Sequence, residues 1–406
     1  MKNVDEQLAL IARGTEQIVP IDDLRRKLER SIATGKPLRV KFGIDPTSVD
    51  VHLGHTVPLR KLRQFQQLGH HAVLIIGNYT ALVGDPSGRD QTRARLTQEQ
   101  VETNARDYLK QIEKIIDINK TEVRYNGEWF GKYTFLDVLS LTSKITVQQM
   151  LAREDFANRV AAKTEIRLHE CLYPLMQGYD SVAIQADVEI GGTDQLFNFM
   201  VARDLQIDAG QIPQVCITFP ILRGTSGDGK RMGKSLNNYV GVGEPAREQF
   251  GKTMRIPDEQ MAEWFTLLTD RPSEEIARLT DAGQTHPMEA KKTLGADIVG
   301  FYYGEEGAAT ARREFETQFS QRQDPDEIAE TTIPASECPD GKVIAAKLLV
   351  LSQLAKSNNE ARRKISEGAF NFGPDRQKVT DATEAIPVAN GLVIRLGRQI
   401  RRLVIG

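Results

Sequence analysis

Two short segments of this chain carry residue types suited to holding an anion: His52-Leu53-Gly54-His55, where a strand pattern gives way to a helix pattern, and the cationic stretch Lys230-Arg231-Met232-Gly233-Lys234-Ser235. A helix N-terminus offers unpaired backbone N–H groups and partial positive charge, so the first segment suits a triphosphate. Glycine at 54 lets a flat base approach the backbone closely. Two histidines about one helical turn apart can both donate to phosphate oxygens as negative charge builds on a leaving group. The second segment supplies cations and a hydroxyl on a glycine-rich backbone able to close over a nucleotide. As a zinc pair, His52 and His55 would need further ligands, and His70, His71, His169 and His286 show no matching spacing. No G-x-x-x-x-G-K-[ST] motif is present, which disfavours a P-loop nucleotidase.

A third constellation is Tyr173, Gln177 and Asp180, whose spacings of four and three put them on one face of a helix. A neutral phenol needs an acceptor for its OH, and a buried carboxylate such as Asp180 supplies one.

The surrounding pattern has to bring these segments together. Leu38 to Ile44 reads as a buried strand, Thr56 to Leu68 as an amphipathic helix closed by Gly69, and Ala72 to Ile76 as a second strand. Strand, helix and strand in so short a span predict a parallel pair with a right-handed crossover, the start of a doubly wound α/β sheet of Rossmann-like type. Ligands of such sheets sit beyond the carboxyl ends of the strands. Residues 5–35 carry a helical pattern, 96–186 read as a mostly helical insertion, and Val215 to Leu222 is the best strand of a second half. Helices are expected again from about Pro245 to Phe319. The polar, Pro-punctuated stretch 321–340 reads as a linker.

The tail 341–406 holds twelve Lys and Arg against five acids, a balance of +7 that leaves about −9 for the rest of the chain. Clustered cations on an otherwise acidic protein point to a separate RNA-contacting module. Its centre is Arg362-Arg363-Lys364, in a helix opened by the capping box Ser357-Asn358-Asn359-Glu360 and closed at Gly368.

Over the whole chain, 53 basic and 55 acidic residues nearly cancel among 406, so any nucleic-acid contact must be local. A hydrophobic content of 40% suffices for two or three folded units. Cys171, Cys216 and Cys338 lie far apart, which fits reduced thiols better than a disulfide or zinc framework. No apolar run approaches the length of a membrane span, and a cytoplasmic protein without a membrane role is expected.

The two anion-holding segments resemble the HIGH and KMSKS signatures of class I aminoacyl-tRNA synthetases. Gly84-Asp85-Pro86-Ser87-Gly88-Arg89, Tyr173-Pro174-Leu175-Met176-Gln177-Gly178-Tyr179-Asp180 and Gly191-Gly192-Thr193-Asp194-Gln195 narrow the resemblance to the bacterial tyrosyl-tRNA synthetase family. It covers most of residues 35–240. The tail is similar to the S-four-type RNA-binding domain that this family often carries.

The resemblance implies activation of L-tyrosine by ATP with Mg²⁺, no structural metal, and transfer to tRNA(Tyr). It further implies catalytic roles for His52, His55, Arg231, Lys234 and Ser235, and a tyrosine site of Asp85, Tyr173, Gln177, Asp180 and Gln195. The ATP contacts would come from Gly43, Asp45, Gly54, Gly192, Asp194 and Lys234, with Arg89 and Arg93 on the pyrophosphate side. The expected domains are a catalytic unit at 1–243, a helical anticodon-side unit at 244–320, the linker, and an RNA-binding unit at 341–406 with Arg362, Arg363 and Lys364 on tRNA. The family is dimeric, and the apolar stretch Phe130 to Leu141 could contribute to a subunit interface.

The chain departs from the family's usual residues at Lys41 and at Arg231. Lys41 stands where many members have a tyrosine reaching the substrate phenol; the lysine could pair with Asp180, donate to the phenol or point elsewhere. Arg231 replaces the usual first lysine of the second signature, keeping charge but altering geometry. Pro58 on the first helix is a variable position near the ATP contacts. The related tryptophanyl family shares the architecture but normally differs at the tyrosine-pocket residues.

Overall fold

The computed structural model describes residues 2–47, 51–87, 97–317, 328–397 and 399–406. The chain forms two compact units, Met1–Arg313 and Glu314–Gly406.

In the first unit, helices α1 (Val4–Ala12) and α2 (Ile21–Thr34) flank the short strand β1 (Gln17–Val19). Leu24 and Leu28 are buried one turn apart on α2, which ends at Gly35 in the left-handed conformation (φ 67°), where glycine carries no Cβ penalty. Then come β2 (Arg39–Ile44), α3 (Leu53–Gln67) and β3 (His71–Ile76), close to the expected boundaries. β3 reads His-Ala-Val-Leu-Ile-Ile and is buried at every position after the first, as expected for a parallel strand covered on both faces.

After the short helix α4 (Thr80–Val83), the region expected to be a helical insertion does contain α5 (Gln98–Ile112), α6 (Gly127–Phe130), α7 (Phe135–Thr142), α8 (Val147–Leu151), α9 (Glu154–Ala161) and α10 (Tyr173–Ile184). It also contains β4 (Thr121–Tyr125), which pairs in parallel with β3. β4 lies at the sheet edge with every position only half buried, so its sequence lacks the apolar run that marks β3.

After α10 come β5 (Val188–Gly192), α11 (Leu196–Asp208) and β6 (Val215–Phe219). Helices α12 (Ala246–Thr253), α13 (Met261–Leu268), α14 (Ser273–Thr280) and α15 (Pro287–Phe315) follow, the last interrupted at Gly304 with φ 73°. Among the described residues no helix is long and apolar enough to cross a membrane.

The sheet order is β1-β6-β5-β2-β3-β4, parallel except for β1. The chain winds outward from β2 through β3 to β4, then returns to the other side of β2 with β5 and β6. The direction of winding therefore reverses between β2 and β5. Their carboxyl ends, at Ile44 and Gly192, open the crevice where doubly wound sheets bind ligands. One face of the sheet packs on Leu24, Leu28, Leu59, Leu62 and Phe65 through Val40, Leu74, Ile76, Val188 and Ile217.

The second unit holds a five-stranded sheet in the order β10-β9-β12-β13-β7 and a two-stranded ladder of β11 with β8. Its strands are β7 (Glu330–Ile333), β8 (Lys342–Ile344), β9 (Phe370–Phe372), β10 (Gln377–Val379), β11 (Ala385–Pro387), β12 (Val393–Leu396) and β13 (Gln399–Ile405). Helices α16 (Ala345–Leu351) and α17 (Asn358–Ser366) cover the sheet over a core that includes Ile333, Leu348, Ile365, Phe370 and Leu403. The expected linker at 321–340 is corrected here. Residues 330–333 form β7, which pairs in parallel with β13 and buries Ile333, and the prolines at 334 and 339 punctuate turns within the unit. Residues 318–327 of that linker lie outside the described residues.

Candidate active site

A single cleft of about 930 Å³ at the β2–β5 switch is lined by all of Gly43, Asp45, His52, Gly54, His55, Asp85, Tyr173, Gln177, Asp180, Gly192, Asp194, Gln195, Arg231, Lys234 and Ser235. Segments almost 190 residues apart in sequence thus meet at one place. Arg89 and Arg93 lie outside the described residues, as does the end of the motif that begins at Gly84. Arg362 and Arg363 are exposed and Lys364 half-buried on α17, whose opposite face buries Ala361 and Ile365. Ser357 caps that helix by accepting from Glu360 N at 3.3 Å.

His52 occupies the N-cap position of α3 in extended conformation. It is held there by Leu53 N donating to Val240 O at 2.9 Å and by a bridge between His52 and Gly241. The imidazoles of His52 and His55 stack with centroids 3.7 Å apart and planes 18° from parallel. His52 N donates to His55 Nδ1 at 3.4 Å, which leaves the His55 ring proton on Nε2. A Cβ on residue 54 would lie 3.0 Å from the His52 ring, so Gly54 first of all makes room for that ring.

Burial pushes the His52 imidazole down to about 4 and, with His52 beside it, His55 down to about 3. Both are neutral near pH 7 and act there as N–H donors without net charge. His52 Nδ1 is buried beside the first turn of α3 and makes no hydrogen bond of ordinary geometry among the described residues.

The cationic loop is pinned at its base and open at its tip. Met232 is buried and its N donates to Leu222 O at 2.8 Å. Asn238 grips the loop from beneath, accepting from Gly233 N at 2.9 Å and donating to Arg231 O at 3.1 Å. A Cβ at Gly224 would overlap the Asn238 amide. Arg231, Lys234 and Ser235 line the same cleft as His52, and the Arg231 charge reaches Asp194 just after β5.

On the other wall, α10 presents Tyr173, Gln177 and Asp180 on one face, as their spacing predicts. Trp129 Nε1 donates to Asp180 Oδ1 at 2.9 Å and Asn126 Nδ2 to Asp180 Oδ2 at 3.4 Å. Burial nevertheless raises the Asp180 carboxyl to about 7, opposed by the nearby Lys41 charge and by these two donors. Tyr173 is buried, and its phenol is raised well above its ordinary value, chiefly by desolvation and then by Asp45 and Asp85. Thr80 Oγ1 donates to Asp45 Oδ1 at 2.7 Å, and Gly77 allows this because a Cβ there would overlap both atoms.

Of the three alternatives for Lys41, the structure shows the last: it points elsewhere, toward Glu189. Its Nζ meets Glu189 Oε1, Gln177 O and Ser181 Oγ, each at 2.8 Å, and it is wholly buried. Sequence reasoning also missed Glu189, Asn198, Asn126, Trp129, Ser87 and Arg153. Ser87 Oγ donates to Asp85 Oδ1 at 2.7 Å, and Arg153 lies 3.6 Å from the same oxygen. The advance signals were Ser87 standing in the quoted motif two residues after Asp85, and Asn198 standing three residues after Gln195.

The family model for tRNA synthetases class I (W and Y) matches residues 33–320. The chain is 48% identical over 400 residues to the tyrosine–tRNA ligase of Symbiobacterium thermophilum, covering 98% of this chain and 97% of that relative. It is 46% identical over 401 residues to that of Moorella thermoacetica, covering 98% and 95%. Among solved structures, the tyrosyl-tRNA synthetase of Archaeoglobus fulgidus complexed with L-tyrosine aligns with TM-score 0.62 at 24% identity, covering 76% of this chain and 100% of that one. The truncated mitochondrial enzyme of Aspergillus nidulans aligns with TM-score 0.63 at 22% identity, covering 79% and 95%. At such identities the structural likeness speaks for the fold.

Proposed function

The chain belongs to the tRNA synthetases of class I (W and Y), and from that premise we propose that the cleft at the β2–β5 switch is where it carries out the tyrosine–tRNA ligase reaction. The protein activates tyrosine with ATP and transfers it to tRNA. A carboxylate oxygen of tyrosine attacks the α-phosphorus, the bond to the pyrophosphate oxygen breaks, and tyrosyl-adenylate forms. A terminal ribose hydroxyl of tRNA(Tyr) then attacks the acyl carbon, loses its proton and releases AMP. The first nucleophile is already ionised, so the rate rests on positioning and on stabilising the charge that builds on phosphate.

In this reading His52 and His55 donate N–H to phosphate oxygens, while Arg231 and Lys234 supply positive charge and Ser235 a hydroxyl. Gly43, Asp45, Gly54, Gly192 and Asp194 contact the nucleotide. Asp180 accepts the substrate phenol, and Asp85, Tyr173, Gln177 and Gln195 receive the amino-acid end. Mg²⁺ bound with the nucleotide would offset the charge of its phosphates, and Arg89 and Arg93 would add positive charge on the pyrophosphate side. Residues 244–320 serve the anticodon side of the tRNA, and Arg362, Arg363 and Lys364 bind its phosphates. Phe135 and Leu136 on α7, 77% and 73% exposed, support a homodimer that covers them. The protein works in the cytoplasm.

The observation that supports this best is the convergence of the stacked histidines, the cationic loop and the buried Asp180 on one cleft. ATP–pyrophosphate exchange tests it, with tyrosine, tryptophan or phenylalanine supplied in turn. Exchange driven by tyrosine is expected; exchange driven by tryptophan instead, or by none of the three, overturns the reading.

A further inference from the structure

Gln177, Asn198 and Gln195 form a row of three amides along the cleft, and a primary amide can face either way. The groups at the two ends of the row decide. Glu189 Oε1 already receives Lys41 Nζ at 2.8 Å, and it also accepts from Gln177 Nε2 at 3.3 Å. A carboxylate is acceptor-only, so Gln177 has to turn its amino group toward Glu189 and its carbonyl toward Asn198. At the far end Asp85 is likewise acceptor-only and takes Gln195 Nε2 at 2.9 Å, which leaves the Gln195 carbonyl facing Asn198.

Asn198 resolves the two opposed polarities by donating to both. Its Nδ2 lies 2.7 Å from Gln177 Oε1 and 3.1 Å from Gln195 Oε1. The residue is fully buried, and its own Oδ1 has no partner among the described residues. A fold that leaves a buried carbonyl unpaired to aim both N–H groups along the row puts that arrangement ahead of local satisfaction. Lys41 closes the other end: its three protons go to Glu189, to Gln177 O and to Ser181 Oγ, so it fixes both the carboxylate and the helix that carries Gln177.

We propose that Lys41, Glu189 and Asn198 are positioning residues that hold the carbonyl oxygens of Gln177 and Gln195, beside Asp85, as an acceptor-only wall for the substrate's ammonium group. Each glutamine carbonyl spends one lone pair on Asn198 and keeps one, and all three wall residues line the cleft. Turned the other way, the same amides would point N–H groups at a cation. The proposal rests on the amino-acid-activating reading above, and it assigns the recognition of the ammonium to amide polarity set from behind the pocket.

The test separates the ammonium from the rest of the ligand. Two variants free the row without stranding a charge: Asn198→Leu, and the double variant Lys41→Met with Glu189→Gln. Each is assayed by pyrophosphate exchange for the KM of tyrosine and of ATP. Each is also assayed for competitive inhibition by 3-(4-hydroxyphenyl)propionate, which is tyrosine without its amino group. In both variants the tyrosine KM is expected to rise about tenfold or more, the scale of hydrogen bonds to a charged group, while the inhibition constant of the deaminated analogue stays within about twofold. A parallel loss for both ligands makes the residues merely structural and overturns the proposal, as does an unchanged tyrosine KM. If the unmodified protein shows no tyrosine-dependent exchange, it is the parent reading that fails.

Discussion

Lys41 and Glu189 are register partners on the two strands that bracket the switch, and their side chains meet at 2.8 Å with 0% and 1% of their surface exposed. A buried ion pair contributes little net stability, yet removing one partner leaves a charge stranded in a medium that cannot solvate it.

Lys41→Met is therefore expected to cost about 3–5 kcal/mol of folding stability, and adding Glu189→Gln to restore most of it. Urea denaturation of the two single variants and the double variant checks this. Additive losses would contradict the pairing.

Asp180→Asn should raise the tyrosine KM about tenfold to a hundredfold with little change for ATP, because it alters the acceptor for the substrate phenol. Discrimination against phenylalanine should shrink in parallel. A site built around a substrate OH leaves a buried group unpaired when the OH is missing, and tyrosyl enzymes are themselves the standing example of that rule. Equal losses for tyrosine and ATP in exchange kinetics would remove Asp180 from the pocket.

The same carboxyl sets a pH dependence. Burial raises it from an ordinary 3.8 to about 7, so the folded state binds its proton more tightly than the unfolded chain does. Its contribution to stability is present below pH 4 and is lost as pH rises through about 7. A carboxylate accepts the phenol O–H more strongly than the neutral acid does, so under the proposed role kcat/KM for tyrosine should climb with pH through about 7. Asp180→Asn should flatten that limb.

His52 and His55 shift the other way, to about 4 and about 3, so their contribution to stability is present above pH 6.5 and is lost as pH falls through those values. Imidazole ¹⁵N spectra of the free protein should report both rings neutral at pH 6. A protonated ring there would mean the phosphates meet a cation.

The Asn238 side chain holds the cationic loop by the loop's backbone, at Gly233 N and Arg231 O. Asn238→Ala is expected to lower the kcat of adenylate formation about tenfold through lost positioning, with the tyrosine KM unchanged. Single-turnover measurement of adenylate formation distinguishes this from a binding defect.

Much of this site could be read from the chain because its parts are local. The histidine turn, the cationic loop and the three-residue face of α10 each lie within a dozen residues, and periodicity places them. What could not be read is what lies behind them. Glu189 sits in a five-residue strand whose sequence, Val-Glu-Ile-Gly-Gly, shows no sustained alternation, and its partner is 148 residues away. β4 escaped for the related reason that an edge strand need not be apolar. β7 was hidden by flanking prolines that resemble a linker but belong to turns. Local chemistry leaves a pattern in sequence, whereas a contact across a switch point leaves none.

The winding order also has a consequence during synthesis. β2, which carries Lys41, pairs on one side with β3 within a few dozen residues, but its other edge stays open until residue 188 has emerged from the ribosome. The loop that steadies His52 arrives later still, at 240 and 241. Contacts so distant in sequence are slow to form, and an unpaired buried strand invites association with other chains in the interval. A nascent chain shorter than about 240 residues has its histidines but lacks the segment at Val240 and Gly241 that seats them.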